Sequence, residues 1–281
     1  MFREKLNGTE IRIMRLFPRS SISVAGIAEA LEINFSWAYK CISHLEEMGF
    51  LNSGKNKRST FVKMSDTPLG NALSVLLVEE PAMNLDALLG VSSLRMLPLL
   101  PEPGYSIGEM TERTGLSPRT VQTRIKKWRS MGVVIYLNRK YMLSPRHPLV
   151  INLVREYSRS RNMLHLRESP FNATIVWQDR DEYLISTDKR VADGRYPKAG
   201  PTLLAELGYD IVSRNFYYMF NPLAIPVSEA ESLVQTVMLD PINPRPLEYI
   251  GQAVSGNRVS KTEIKYYSAK YGVKDRVEEV L

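Results

Sequence analysis

Four polar side chains between residues 119 and 127 have the chemistry to contact a nucleic acid. Arginine can donate two hydrogen bonds to the edge of guanine, and glutamine can pair with the edge of adenine, so Arg119 and Gln122 suit base recognition. Lys126 and Lys127 follow at positions that suit contact with phosphates, and such contacts fix register without reading sequence. The types and spacing of these residues predict a surface that binds a polyanion.

A helix must hold these side chains on one face. Val121, Ile125 and Trp128 recur at the spacing of a single helix face, so burying them leaves the polar residues on the opposite face. Ser117 and Pro118 predict the start of this helix, because serine is a favoured N-cap and proline a favoured first residue. The residues predicted to contact DNA from this helix are Ser117, Arg119, Thr120, Gln122, Thr123, Arg124, Lys126 and Lys127.

The charge of the chain is distributed unevenly. The net charge is +7 overall, but residues 81–170 carry +8 and residues 171–281 carry −2. No aspartate or glutamate lies between Glu112 and Glu156, while that interval holds ten lysines and arginines. A one-sided run of this kind indicates a polyanionic partner, and the alternative is a basic face that is merely solvated.

The sequence contains an internal repeat. An offset of 83 residues aligns 11–51 with 94–134 without a gap, and the apolar positions coincide. For example, Ile42 falls on Ile125 and Leu45 falls on Trp128. Because the matched positions follow helical spacing, the repeat predicts two copies of one fold.

Each copy is predicted to run helix, helix, tight turn, helix and hairpin. The opening helices span about 9–17 and about 92–100, and the hairpins span 50–62 and 133–143. Glu109 completes a capping box at the second helix of the second copy. The predicted N-caps are Ser23, Asn34, Ser106 and Ser117.

The second copy carries a family resemblance. Residues 106–134 (SIGEMTERTGLSPRTVQTRIKKWRSMGVV) closely resemble the helix-turn-helix of bacterial and archaeal transcription regulators. Residues 35–51, with 64–73 after the hairpin, resemble a more divergent MarR-like copy. The resemblance implies two tandem winged helix-turn-helix domains, mostly α with small β-wings. It also implies that the third helix of each enters the major groove of duplex DNA.

The hairpin tips and the first copy complete the predicted site. Arg139 and Lys140 occupy the tip of the second hairpin, where contact with the DNA backbone or minor groove is natural. The third helix of the first copy is predicted to expose six side chains, Ser43 and His44 among them, with little charge. The predicted DNA-binding residues of this copy are Ser36, Trp37, Tyr39, Lys40, Lys55, Lys57 and Arg58. The alternative is that the first copy is a dimerisation or packing module.

From residue 171 onward, the sequence predicts strands as well as helices. Strands are predicted at 171–177, 183–187 and 211–220, without the alternating order of a nucleotide-binding sheet. Helices are predicted at 201–208, 228–239, 244–254 and 260–279, the last one broken at Gly272. The expected class of this part is α+β. The predicted domains are winged helices at 1–80 and 81–168 and a regulatory or oligomerisation domain at 169–281.

Residues 228–250 resemble helical segments of archaeal proteins related to AbiEi-type abortive-infection antitoxins. That resemblance implies a winged helix joined to a C-terminal domain, without transferase activity. Two helices that follow the hairpins, at 68–78 and 148–161, have the position of dimer interfaces in related regulators. The alternative for the second helix is that its run of arginines, from Arg155 to Arg167, extends the basic surface. We therefore expect a homodimer, with an effector or protein partner at the C-terminal domain.

Catalytic chemistry is hard to find in this sequence. Asp179, Asp181 and Glu182 cluster at a predicted turn, where such residues usually serve local hydrogen bonds. The three histidines lack metal-ligand spacing, and phosphate-binding and nucleophile motifs are absent from the sequence. Cys41 is the single cysteine, so it is expected to be a small packed residue in a reducing compartment. We expect no enzyme, no cofactor, no metal and no membrane span, and a cytoplasmic location.

The sequence therefore predicts a transcriptional regulator that binds double-stranded DNA through its third helices. Two alternatives remain open at this point. One is a replication initiator or another architectural DNA protein, since these also use tandem winged helices. The other is an antitoxin-like module whose winged helices bind proteins.

Overall fold

The structure is a computed structural model that describes residues 5–17, 21–56 and 59–281. The chain divides into two compact units, Met1–Glu168 and Ser169–Leu281, and each is described by itself. Helices predominate in the described ranges, and the strands there form small antiparallel sheets. None of the helices described is long and apolar enough to cross a membrane.

The first half of the first unit alternates short helices with a small sheet. Strand β1 pairs antiparallel with β3, and β3 pairs antiparallel with β2, so that β3 is central. The elements are α1 (Gly8–Met14), β1 (Ile22–Ser23), α2 (Val24–Ala30), α3 (Phe35–Glu47), β2 (Leu51–Asn56), β3 (Ser59–Met64) and α4 (Pro68–Glu79).

The second half repeats the order helix, helix, hairpin. Its elements are α5 (Leu85–Leu89), α6 (Ser93–Met96), a 3-10 turn (Leu97–Leu99), α7 (Ile107–Thr114), α8 (Pro118–Ser130), β4 (Val134–Leu137), β5 (Lys140–Leu143) and α9 (Pro148–Arg167). The prediction of a single helix at about 92–100 is wrong. Pro98 has no N–H to donate, and the α-helix gives way to a 3-10 turn beside it.

Backbone features recur between the two halves at the offset of 83 residues. The N-caps predicted from the sequence are confirmed, and Ser106 and Glu109 form the predicted capping box. Glycines with positive φ follow α3 and α8 at equivalent positions. The equivalent pairs are the caps Ser23 and Ser106, the caps Asn34 and Ser117, the left-handed residues Glu32 and Gly115, and the left-handed residues Gly49 and Gly132.

The two halves of the first unit share one hydrophobic core. Helix α4 packs on α9, and α5 packs on both α1 and α8. The apolar positions predicted to be buried are buried in both halves, from Ile42 and Leu45 to Ile125 and Trp128. A domain boundary at residue 80 stays a prediction, because the buried side chains form one cluster across it.

The second unit has an antiparallel sheet and a group of helices. The strand order is β6-β7-β8. Its elements are β6 (Thr174–Asp179), β7 (Glu182–Thr187), α10 (Gly200–Glu206), β8 (Phe216–Phe220), α11 (Glu229–Leu239), α12 (Arg245–Ser255), α13 (Lys261–Lys270) and α14 (Lys274–Glu278). The predicted strand at 211–220 begins only at Phe216, because the hydroxyl of Ser213 bonds locally to the backbone of Asn215.

A buried polar cluster ties β7, α11 and α13 together in the second unit. The ammonium of Lys270 lies 3.0 Å from the carboxylate of Glu182 and 2.8 Å from that of Glu231. Tyr271 donates to Glu231 at 2.6 Å, and Gln235 donates to Tyr271 at 2.7 Å. Burial lowers the pKa of Lys270, but the two carboxylates outweigh that effect and hold the pKa above its ordinary value.

Candidate nucleic-acid interface

Helix α8 is held in the first unit by its apolar face. Val121, Ile125 and Trp128 are all buried, as the spacing predicts. The indole N–H of Trp128 donates to the carbonyl oxygen of Ala87 at 2.8 Å. The hydroxyl of Ser117 accepts from the backbone N–H of Thr120 at 3.2 Å and so caps the helix. These contacts fix which face of α8 points outward.

The outward face of α8 is cationic. None of the thirteen residues of this helix is acidic, and four of its exposed side chains carry a positive charge. No described residue forms an ion pair with Arg119, Lys126 or Lys127. The exposed side chains predicted as site residues are Arg119, Gln122, Thr123, Lys126 and Lys127. Their charges are therefore available to an external anion.

Three predicted site residues of α8 also serve the fold. The guanidinium of Arg124 donates to the carbonyl oxygen of Val91 at 2.7 Å, and burial lowers its pKa. The hydroxyls of Ser117 and Thr120 lie 2.9 Å apart at the N-cap. The structure thus gives Arg124 a position that braces α8 against the segment before α6, although the sequence placed it among the DNA contacts.

The β4–β5 hairpin ends in a two-residue turn. Leu137 pairs with Lys140, so Asn138 and Arg139 form the tip, with φ of +50° and +64°. Two residues with positive φ are typical of the type I′ turn that suits a hairpin. Arg139 is exposed at this tip. The hairpin therefore presents the guanidinium of Arg139 at its tip, as predicted. The prediction that Lys140 also lies at the tip is wrong, because Lys140 pairs with Leu137 as the first residue of β5 and is half-buried.

An aromatic ring lies beneath the cations beside this hairpin. The Nζ atom of Lys140 lies 5.8 Å from the ring centre of Tyr105, and the guanidinium of Arg113 lies 5.0 Å from it. Partial burial raises the pKa of Glu109, but hydrogen bonds from Ser106 and the charges of Lys140 and Arg113 outweigh it and lower the pKa. Tyr105 was not predicted as a site residue. The one signal for it in the sequence is its position directly before the Ser106 cap.

The face of α3 is aromatic where the face of α8 is cationic. The exposed fractions of Phe35, Trp37 and Tyr39 are 56%, 40% and 54%. Ser36 and Lys40 are exposed on the same helix, and Lys55 is exposed on β2. Lys57 and Arg58, which were also predicted as site residues, lie outside the described residues.

The prediction that α3 exposes His44 is wrong. Its ring nitrogen Nδ1 lies 2.8 Å from the carboxylate of Glu10, whose side chain is almost fully buried. Glu10 also accepts from the backbone N–H of Asn7 at 2.7 Å, within the capping box of α1. His44 therefore joins α3 to α1. Cys41, on the same helix, is buried as expected.

The acidic residues of the second unit do not converge on a metal site. Asp179 lies 2.8 Å from the guanidinium of Arg180, and Glu182 contacts Lys270. In the described parts of the chain, no three histidine, cysteine or acidic side chains are grouped so that they could hold a metal ion. Asp179 and Glu182 instead form ion pairs within the fold.

Comparison with known proteins does not assign the chain to a family. No known protein family and no curated protein matches the sequence. One similar solved structure is reduced HlyU from Vibrio cholerae N16961, at 20% identity and a TM-score of 0.24. The matched region covers 26% of this chain and 78% of that chain.

Proposed function

We propose that the protein is a transcription regulator that binds double-stranded DNA through α8 and the β4–β5 hairpin, with residues 81–168 acting as a winged helix-turn-helix. One observation carries the proposal, namely the exposed, acid-free face of α8 beside an exposed arginine at the hairpin tip. The similarity of residues 106–134 to known helix-turn-helix sequences supports it. The proposal includes no catalytic activity and no cofactor.

The dimensions and chemistry of α8 suit a major groove. A helix of thirteen residues is about 20 Å long, and a major groove admits one α-helix. Arg119 and Gln122 lie in its N-terminal half, the part that meets base edges in helix-turn-helix proteins. Lys126 and Lys127 lie further along and would contact phosphates. In this arrangement Arg124 positions the helix through Val91 and does not touch the DNA.

The rest of the chain has a place in this proposal. Residues 1–80 form the other winged helix of the tandem, which is the first copy of the repeat. The protein acts as a homodimer in the cytoplasm. The second unit regulates binding, as its similarity to antitoxin-related proteins suggests. A groove of about 530 Å³ beside α10, lined in part by Arg190, Phe216 and Tyr218, is large enough for a small effector.

The decisive experiment measures duplex binding by the full chain. A genomic duplex pool is enriched for bound sites, and affinity for the enriched site is measured across salt concentrations. Lys126→Ala combined with Lys127→Ala should weaken binding and reduce the salt slope by about 1 for each lost phosphate contact. The matched control, Lys265→Ala with Lys274→Ala, also removes two exposed lysines but from α13 and α14. Equal affinity of both double variants and the parent chain would refute the proposal.

A further inference from the structure

We propose that the groove beside α10 binds a small organic acid, a molecule with a single carboxylate and an apolar body. Arg190 binds the carboxylate, and the apolar walls of the groove cover the body. The effector role of such a ligand rests on the proposed function, whereas its binding to the groove does not.

Four segments of the second unit form the groove, which has a volume of about 530 Å³. They are residues 190–192, Lys198 with α10, residues 211–215 and the start of β8. Most of the side chains that line it are apolar, Ala205 and Ile211 among them. This size and this apolar character are typical of sites that bind small molecules.

The groove has one positive charge that no described residue offsets. The ammonium of Lys198 pairs with the carboxylate of Glu206. The guanidinium of Arg190 is exposed, and none of the described acidic residues forms an ion pair with it. One cation is therefore available to an anionic ligand, and a hydrogen bond between two charged groups is about twice as strong as one between neutral groups.

Phe216 holds Arg190 at the wall of the groove. The guanidinium carbon of Arg190 lies over this ring, 5.6 Å from its centre, which is within the range of a cation–π contact. The guanidinium carries more N–H donors than a bidentate carboxylate needs. A ligand carboxylate can therefore bind while the contact with Phe216 persists.

Tyr218 supplies a second donor on the same side of the groove. Its side chain is buried, and its hydroxyl accepts from the backbone N–H of Val191 at 2.9 Å. The hydroxyl keeps its own hydrogen to donate, and no acceptor for it lies among the described residues. Phe216 and Tyr218 share one face of β8, because alternate residues of a strand point the same way. A ligand oxygen beside Arg190 would give the buried hydroxyl an acceptor.

The wall formed by residues 211–215 is anchored on both sides. The hydroxyl of Tyr249 donates to the carbonyl oxygen of Asp210 at 2.8 Å, and the side-chain amide of Asn215 donates to the hydroxyl of Ser186 at 3.0 Å. Between these anchors Val212 exposes 96% of its area. The apolar body of a ligand would remove part of this side chain from water. An anchored wall loses little conformational entropy when the ligand binds.

A phosphate monoester is the competing anion. It carries about two negative charges near pH 7, and its three oxygens call for several donors. The groove has one unpaired cation among its described residues and mainly apolar walls. A second negative charge would lose its hydration there without gaining a partner, which is costly. A carboxylate has one charge and matches the single guanidinium.

The test measures binding of octanoate and phenylbutyrate to the full chain by isothermal titration calorimetry, each beside its neutral amide. Both acids should bind, and the amides should bind about 10- to 150-fold more weakly because they lack the charged hydrogen bonds. Arg190→Gln should weaken the acids by a similar factor and leave the amides unchanged. Val212→Ala should weaken acids and amides alike, by up to about 10-fold. The matched control is Arg214→Gln, which removes an exposed arginine that does not line the groove and should change nothing.

Three results would overturn the inference. They are equal affinity for acid and amide, unchanged acid affinity in Arg190→Gln, and tighter binding of phenyl phosphate than of phenylbutyrate.

Duplex titrations keep this site separate from the proposed function. A chain that binds octanoate but no duplex retains the groove as a site and refutes the regulator. A chain that binds duplex but neither acid refutes the groove alone. Bound octanoate should also change duplex affinity in the parent chain and not in Arg190→Gln. Unchanged duplex affinity in the presence of octanoate would refute the effector role.

Discussion

The indole N–H of Trp128 donates to the carbonyl oxygen of Ala87 across 2.8 Å, and both groups are buried. The bond joins α8 to α5, a five-residue helix that the sequence did not predict. Because Trp128 lies on the face of α8 opposite the exposed cations, this contact sets the direction in which those cations point.

Trp128→Phe should lower the free energy of unfolding by about 1–3 kcal/mol, because the carbonyl of Ala87 loses its buried donor. The loss of ring volume adds to this effect. Urea denaturation followed by circular dichroism measures the change. Trp177→Phe, at a half-buried position in the second unit, serves as control and should cost less. Equal unfolding midpoints for Trp128→Phe and the parent chain would contradict the assigned bond.

Arg119→Ala should remove discrimination at a single base pair of the bound duplex, worth about 1–3 kcal/mol. The reason is that a bidentate contact to guanine has no substitute when the guanidinium is lost. Affinities for the enriched duplex and its single-base-pair variants reveal the effect. Arg129→Ala provides the comparison, since it removes an exposed charge at the other end of α8 and should weaken all duplexes alike. A uniform loss in Arg119→Ala would place that side chain on the backbone.

Arg139→Gly should raise stability by about 0.5–1 kcal/mol and weaken duplex binding at the same time. An arginine at positive φ carries a steric cost of about 1–2 kcal/mol, which glycine avoids. Glycine also loses more backbone entropy on folding, and that loss offsets part of the gain in stability. Arg139→Asn also tolerates positive φ and removes the charge, so it should weaken binding similarly. Thermal melts and duplex titrations on the two variants separate these contributions. Stronger binding by either variant would count against a contact at the hairpin tip.

Stability should fall in acid in part through Glu109. Its pKa is lowered in the folded chain, so its stabilising contribution is present above the ordinary value of 4.5 and is lost as pH falls through the folded pKa. Glu109→Gln removes this contribution and should flatten the pH dependence of unfolding in that range. Urea denaturation from about pH 7 to about pH 3 measures it. Parallel pH profiles for the variant and the parent chain would show that the carboxylate contributes nothing.

Lys270→Met should destabilise the second unit by about 3–5 kcal/mol, because it leaves two carboxylates buried without their cation. Combining it with Glu231→Gln should recover part of the loss, since one of the two buried charges is then gone. Chemical denaturation of the single and double variants gives the comparison. If the double variant is no more stable than Lys270→Met, the ion pair is not the source of the effect.

Local signals in the sequence predicted much of this structure. The Ser106 and Glu109 capping box and the Ser117 cap follow from residues within a few positions of one another. The buried face of α8 follows from helical periodicity. These features need no knowledge of distant contacts, because the backbone groups at helix ends must be satisfied nearby.

Contacts between distant residues could not be predicted in this way. Arg124 has the same type and neighbourhood as the exposed cations, yet it bonds to a carbonyl 33 residues earlier. His44 is polar and lies at a position predicted to be exposed, yet a buried carboxylate 34 residues earlier holds it. Which polar side chain faces inward depends on what the rest of the fold places opposite it, and periodicity carries no information on that.

The hydrophobic core shared by the two halves of residues 1–168 limits how far α3 and α8 can move apart. Helix α4 packs on α9 and α1 packs on α5, so packed side chains, and not a flexible linker, set the distance between α3 and α8. A ligand held by one helix would meet the other at a local concentration that no linker motion dilutes. A ligand that contacts both α3 and α8 must therefore present its two contact points at the distance that this core sets.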